Sequence, residues 1–176
     1  RLAPMSSQVS DFHSAVLAGG ARLLRARPEI LQINTGKLCN LTCTHCHVNA
    51  GPARKEIIAP ETVDRILAWL TETDLTTVDL TGGSPEMVPD FRRLVRTVRT
   101  FPQVKRIIDR LNATIVSEPG YEWVPEFLAE HRVEIVASMP CYEPDNVNEQ
   151  RGDGVFDRSI AAFRHLNELG YGRSPD

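Results

Sequence analysis

Four times along the chain, a short apolar run is followed by a stretch whose apolar residues recur at helical spacing. This alternation limits the fold more than any other feature. "ILQINT" (30–35) reads as a buried strand, and "ETVDRILAWLTE" (61–72) sets Val63, Ile66, Leu67 and Leu70 on one helical face. "TTVDLTGG" (76–83) is a second strand ending in glycines. "PDFRRLVRTVRTF" (89–101) repeats the helical spacing with Phe91, Leu94, Val95 and Val98. "VKRIIDRLN" (104–112) is a third strand, before a short helix "EWVPEFLAEH" (122–131) with Val124, Phe127 and Leu128 inward. "RVEIVASMP" (132–140) is the fourth strand. "VFDRSIAAFRHLNELG" (155–170) is the last helix, with Ile160, Phe163 and Leu166 inward and Gly170 as its stop.

A βα order repeated in this way implies a parallel sheet with right-handed crossovers and helices packed outside it. Four strands do not close a barrel. A dinucleotide-binding open sheet would carry G-x-G-x-x-G in the first βα loop, and that loop carries cysteines instead. The expected class is therefore α/β, a partial parallel (β/α) barrel of about four βα units. Residues 1–28 read as a helical lead-in, with Phe12, Val16 and Leu23–Leu24 on one face and Gly19–Gly20 weakening its middle. Residues 29–176 form the core. The chain opens at Arg1 rather than at methionine and stops at "GYGRSPD", so the expectation is a trimmed piece whose last strands are missing.

Composition narrows the function. The apolar fraction of 41% and the charged fraction of 24% are those of an ordinary soluble domain. A net charge of −3 argues against nucleic acid as the main partner. No apolar run approaches the roughly 18–20 residues of a membrane helix, and no basic-then-apolar leader is seen. Of the four cysteines, Cys39, Cys43 and Cys46 crowd one loop, whereas a disulfide framework would spread them out. Crowding with His45 and His47 reads as a metal site in a reducing compartment, most simply the cytoplasm.

"CNLTCTHCH" (39–47) admits three readings. Zinc would take four ligands, Cys39, Cys43 and Cys46 with His45 or His47, but no second ligand pair follows. Haem attachment matches C-x-x-C-H at 43–47, yet leaves Cys39 unexplained and belongs to exported proteins. An iron–sulfur cluster uses thiolates, and C-x₃-C-x₂-C would leave one iron of a cubane without a protein ligand. Cys141 as a fourth ligand would close the cluster and make an electron carrier. In α/β barrels the chemistry sits at the C-terminal strand ends. Here those ends carry the cysteine loop, "TGGSPE" (81–86), Asn112 and "SMPC" (138–141). Taken singly, a Gly-Gly pair is a common turn, Asn112 a turn former and Ser138 a backbone partner; their shared position makes them candidates.

"CNLTCTHC" resembles the signature of the radical S-adenosylmethionine (SAM) enzymes. The resemblance implies a partial (β/α)₆ barrel and a [4Fe–4S] cluster held by Cys39, Cys43 and Cys46, with His45 near the adenine of SAM. Gly82 and Gly83 would let the backbone approach the SAM amino group. Glu86 is a further expected SAM contact, here separated by Ser84 and Pro85 from the glycines that it usually follows at once. Asn112 and Ser138 complete the expected SAM contacts. A narrower likeness runs through "LQINTGKLCNLTCTHCHVNAGP" (31–52), "VDLTGGSPEM" (78–87), "DRLNATIVSEPGYE" (109–122), "FLAEHRVEIVASMPCY" (127–142) and "QRGDGVFDRSIAAFRHLNELGYG" (150–172). These segments are similar to the arsenosugar-biosynthesis radical SAM enzymes, of which this chain would be the N-terminal part. The likeness implies reductive cleavage of SAM to a 5′-deoxyadenosyl radical that joins trivalent dimethylated arsenic through a C5′–As bond. Electrons would come from a flavodoxin- or ferredoxin-type donor. Trivalent arsenic is thiophilic, and Cys141 is the cysteine left to hold the arsenical. The alternatives are another radical SAM reaction, on a peptide or small molecule, and a non-catalytic electron carrier or zinc-binding module.

Overall fold

The structure, a computed structural model, describes residues 12–20 and 24–173. Its centre is a four-stranded parallel sheet in the order β1 (Ile30–Asn34), β2 (Thr77–Thr81), β3 (Arg106–Asp109), β4 (Glu134–Ile135). Ile33 pairs with Leu80, Val78 with Ile107, and Asp109 with Ile135. Sequential order in a parallel sheet is what βα crossovers dictate, and it curves the sheet into the first part of a barrel wall.

The helices are α1 (Phe12–Ala18), α2 (Pro60–Leu70), α3 (Phe91–Arg99), α4 (Val124–Glu130), α5 (Pro144–Arg151) and α6 (Val155–Glu168). The faces read from spacing are buried: Val63, Leu67 and Leu70 on α2, and Phe91, Leu94, Val95 and Val98 on α3. They join Val78, Leu80 and Ile107 of the sheet in one core. Truncating one of these fully buried leucines to alanine costs about 2–5 kcal/mol.

Three parts differ from the sequence reading. β4 holds two residues rather than the stretch 132–140. The Val136 amide still donates to the Asp109 carbonyl, 2.9 Å, but β3 ends there and turns into a 3₁₀ segment, Ala113–Ser117, so no strand remains to pair with. α5 was not expected: apart from Val147 its residues are polar, so no apolar stripe announces it, and Pro144 at its first turn starts it instead. In the lead-in, α1 stops where Gly19 and Gly20 begin. Phe12 and Leu24 are both over 70% exposed, and Leu23 lies outside the described residues. No helix among the described residues is long and apolar enough to cross a membrane.

Candidate active site

The C-terminal ends of all four strands open onto one cavity of about 410 Å³. The loop after β1 lines it with Cys39, Cys43, His45 and Cys46, and the tip of β2 with Gly82 and Gly83. Asn112 lines it after β3 and Ser138 after β4. Glu86 and Cys141 are not in this lining.

The two glycines are required by packing. Gly82 has φ of +140°, and a Cβ there would stand 2.7 Å from the Gly36 carbonyl oxygen. A Cβ on Gly83 would overlap the Leu38 carbonyl and stand 3.1 Å from Cys39 Cβ. Amides of this tip donate to the first loop, Gly83 to the Gly36 carbonyl (2.9 Å) and Ser84 to that of Leu38 (2.8 Å). The space that two side chains would fill is taken by the backbone of the cysteine loop.

Cys39 is buried, and its sulfur accepts from the Leu41 amide at 3.5 Å and Asn112 Nδ2 at 3.8 Å, with the Ser84 hydroxyl 3.4 Å away. Asn40 organises the last two. Its Oδ1 accepts from Asn112 Nδ2 (2.7 Å) and Ser84 Oγ (3.3 Å), while its Nδ2 donates to Thr114 Oγ1 (3.0 Å) and Glu118 Oε1 (3.1 Å). Glu118 in turn pairs with Arg158 of α6. Ser84 has a single hydroxyl proton, so it serves Asn40 while Cys39 is a thiol and can turn to the sulfur of a thiolate.

Cys46 Sγ accepts from the Ala50 amide at 3.3 Å. Burial raises the Cys43 thiol pKa, and the positive charge of Arg151 opposes that rise. Among the described residues no three His, Cys, Asp or Glu side chains converge as ligands of a single metal ion. The trio instead lines one cavity wall as separate thiols, all free. A cubane suits that arrangement, because each thiolate meets a different iron, and the donors on Cys39 and Cys46 suit the bound sulfurs.

Glu86 lies behind the strand tips, outside the lining residues of this cavity. It is 2% exposed, and its carboxyl is a close neighbour of that of Asp109, itself fully buried; neither has a hydrogen-bond partner elsewhere in the described residues. Two carboxyls can bond only through a proton. Burial, then the Asp109 charge, hold Glu86 protonated well above the usual range. Burial lifts Asp109 to about 7. The neighbouring Asp79 behaves in the opposite way: burial would raise it, but hydrogen bonds from Arg110 (2.8 and 2.9 Å) and Gln32 (2.9 Å) outweigh burial and keep it ionised.

Cys141 packs against the second apolar cluster, formed by Leu41, Ala50, Val147 and Val155 with the cysteine loop. Its sulfur accepts from the Glu143 amide (3.4 Å) and Asn146 Nδ2 (3.5 Å), and these bonds lower its pKa. Sequence reasoning passed over Asn40, Ser84, Asp109 and Arg151. All four lie inside quoted segments, but only Asn40 and Ser84 fall within the cysteine and glycine motifs themselves. Arg151 ends α5, whose polar sequence carries no periodic pattern to place it at the cavity.

Residues 33–174 match the sequence profile of the Radical SAM superfamily. Among the curated relatives, a GTP 3′,8-cyclase of Vibrio parahaemolyticus is 21% identical over 145 residues, 80% of this chain and 42% of that protein. A probable GTP 3′,8-cyclase of Thermoplasma volcanium is 28% identical over 148 residues, 84% of this chain and 44% of its own. The chain thus spans less than half the length of these relatives. Streptococcus suis SuiB shares the fold with a TM-score of 0.64 at 24% identity, covering 81% of this chain and 31% of that one. Native anSMEcpe with bound AdoMet does so with a TM-score of 0.63 at 19% identity, covering 80% and 40%.

Proposed function

Because the chain belongs to the radical SAM superfamily, we propose that it is the N-terminal part of an enzyme that joins the 5′-deoxyadenosyl group of SAM to trivalent dimethylated arsenic. Membership in the superfamily implies a [4Fe–4S] cluster and SAM as cofactors. When bound, they supply the reductive cleavage of the sulfonium into methionine and a 5′-deoxyadenosyl radical. Across the whole reaction, the C5′–S bond of SAM breaks to leave methionine, a C5′–As bond forms, and arsenic passes from the trivalent to the pentavalent state; SAM is the net two-electron acceptor, so the single electron supplied for the cleavage is returned when the adduct is oxidised.

The residues of this chain bind, orient and exclude water. Cys39, Cys43 and Cys46 are assigned as the three cluster ligands. Leu41, Ser84 and Asn112 supply donors to the Cys39 sulfur. Gly82 and Gly83 are assigned to the SAM amino group through their backbone, His45 to the adenine, and Asn112 and Ser138 to the remaining polar groups of SAM; all line one cavity. Glu86 receives no SAM contact in this reading, since it is buried and lies outside the cavity lining. Four free thiols suit a reducing compartment, the cytoplasm, and a flavodoxin- or ferredoxin-type electron donor.

The observation that carries the arsenical reading is Cys141. It is a fourth thiol after β4, on the same apolar cluster as the cysteine loop, and two N–H donors favour its thiolate form. A thiolate is the soft ligand that trivalent arsenic prefers. The test is mass spectrometry of products from the full-length protein given SAM, a reductant and dimethylated trivalent arsenic. A dimethylarsinoyl adduct of 5′-deoxyadenosine is expected. If 5′-deoxyadenosine is the sole nucleoside product, and a nucleotide or peptide is modified in place of the arsenical, the chain performs another radical SAM reaction.

A further inference from the structure

Arg151, the last residue of α5, is only 8% exposed, lines the cavity, and has an Nε without a hydrogen-bond partner. Among the described residues no carboxylate forms an ion pair with it. The other guanidinium lining the cavity, that of Arg110, is already paired with Asp79. A buried cation left without a counter-ion is strongly unfavourable, so a fold that keeps one is arranged for an anion that arrives later. The position of Arg151 indicates which anion. The Gln150 carbonyl accepts from the Thr44 amide at 2.9 Å and from Thr44 Oγ1 at 3.4 Å. The end of α5 is thereby fastened to the residue next to Cys43, and the guanidinium shares the cavity wall with that thiol.

We propose that Arg151 is the built-in counter-charge of the thiolate-bound cluster, acting on its Cys43 side. The inference rests on the assignment of Cys39, Cys43 and Cys46 as cluster ligands. Three thiolates around a cubane leave net negative charge in a partly buried cavity, and reduction adds one more. A fixed cation alongside stabilises the reduced state more than the oxidised one and raises the reduction potential. Cys39 receives neutral donors and Cys46 a backbone amide, whereas Cys43 lies on the side of the loop to which the end of α5 is fastened.

The test is a potentiometric titration with EPR detection on full-length, anaerobically reconstituted protein, comparing wild type, Arg151→Gln and Arg151→Lys. The Gln variant should show a more negative midpoint, by about 59 mV or more, a tenfold change in the one-electron reduction equilibrium. The Lys variant should stay near wild type. In the cluster-free proteins, urea denaturation should find Arg151→Met no less stable than wild type, because the lone buried cation is gone. An unchanged midpoint in Arg151→Gln overturns the inference, including the case where the response to SAM is lost at an unchanged midpoint and Arg151 proves to be a SAM ligand. Loss of stability in cluster-free Arg151→Met also counts against it, since the side chain would then be structural. A wild-type protein that takes up no iron removes the ligand assignment beneath it, an outcome the iron assay separates from the others.

Discussion

Gly83 lies against the Leu38 carbonyl so closely that a single methyl group would overlap it. The second strand tip thus fixes the height of the cysteine loop. Gly83→Ala should therefore act on the loop before it acts on the sheet. It should destabilise by about 1–3 kcal/mol, the usual cost of forcing extra volume into a packed site. Iron uptake should fall while far-UV circular dichroism stays near wild type. Undiminished iron content with an unchanged denaturation midpoint would show that the two loops move independently.

The Glu86–Asp109 pair sets a pH dependence with a definite sign. Both carboxyls titrate higher when folded than when unfolded, Asp109 at about 7. The folded protein holds protons that the unfolded chain has released, so this stabilisation is complete below the ordinary carboxylate range and is lost as pH rises through about 7. Asp79, held below its usual value by Arg110 and Gln32 against the effect of burial, acts in the opposite direction and only in acid. Urea denaturation between pH 5 and 8 should show falling stability, and Asp109→Asn should flatten the slope. An equal slope in the variant would remove the pair as its source.

Asn40 joins the tips of three strands through its side chain. Asn40→Asp keeps the shape and the acceptor but sets a carboxylate opposite Glu118. The expected loss is about 1–3 kcal/mol in the cluster-free protein, the cost of losing a buried donor. A change of a few tenths, read by urea denaturation, would show that water replaces the lost bonds without cost.

The sheet and its flanking helices were legible because each apolar position recurs at the period of its element. Val63, Leu67, Leu94 and Val98 are buried as their spacing predicts. The cysteine loop was legible from residue type alone. What escaped was non-periodic. α5 carries almost no apolar side chain. β4 is short because β3 ends at Asp109, a fact about the partner strand that 132–140 cannot disclose. The glycines were read as room for a ligand, whereas their missing side chains first make room for Gly36 and Leu38. Glu86 was read toward SAM because of its place in the motif. In the fold it belongs to the 3₁₀ turn Pro85–Met87, where its carboxyl is buried near Asp109.

Cys141→Ser separates the arsenical reading from the superfamily chemistry. Iron content and SAM cleavage should persist, and the arsenic-containing product should fall at least tenfold, because an alcohol is a poor ligand for a thiophilic centre. Product formation at the wild-type rate would remove Cys141 from the reaction.

The measurement that bears most directly on the whole account is EPR of the dithionite-reduced, anaerobically reconstituted protein before and after SAM is added. A cluster held by three thiols keeps one iron open, so the spectrum should change when SAM arrives. Alanine at Cys39, Cys43 or Cys46 should abolish the signal. A spectrum indifferent to SAM, or a signal that survives loss of one of those cysteines, would contradict the account.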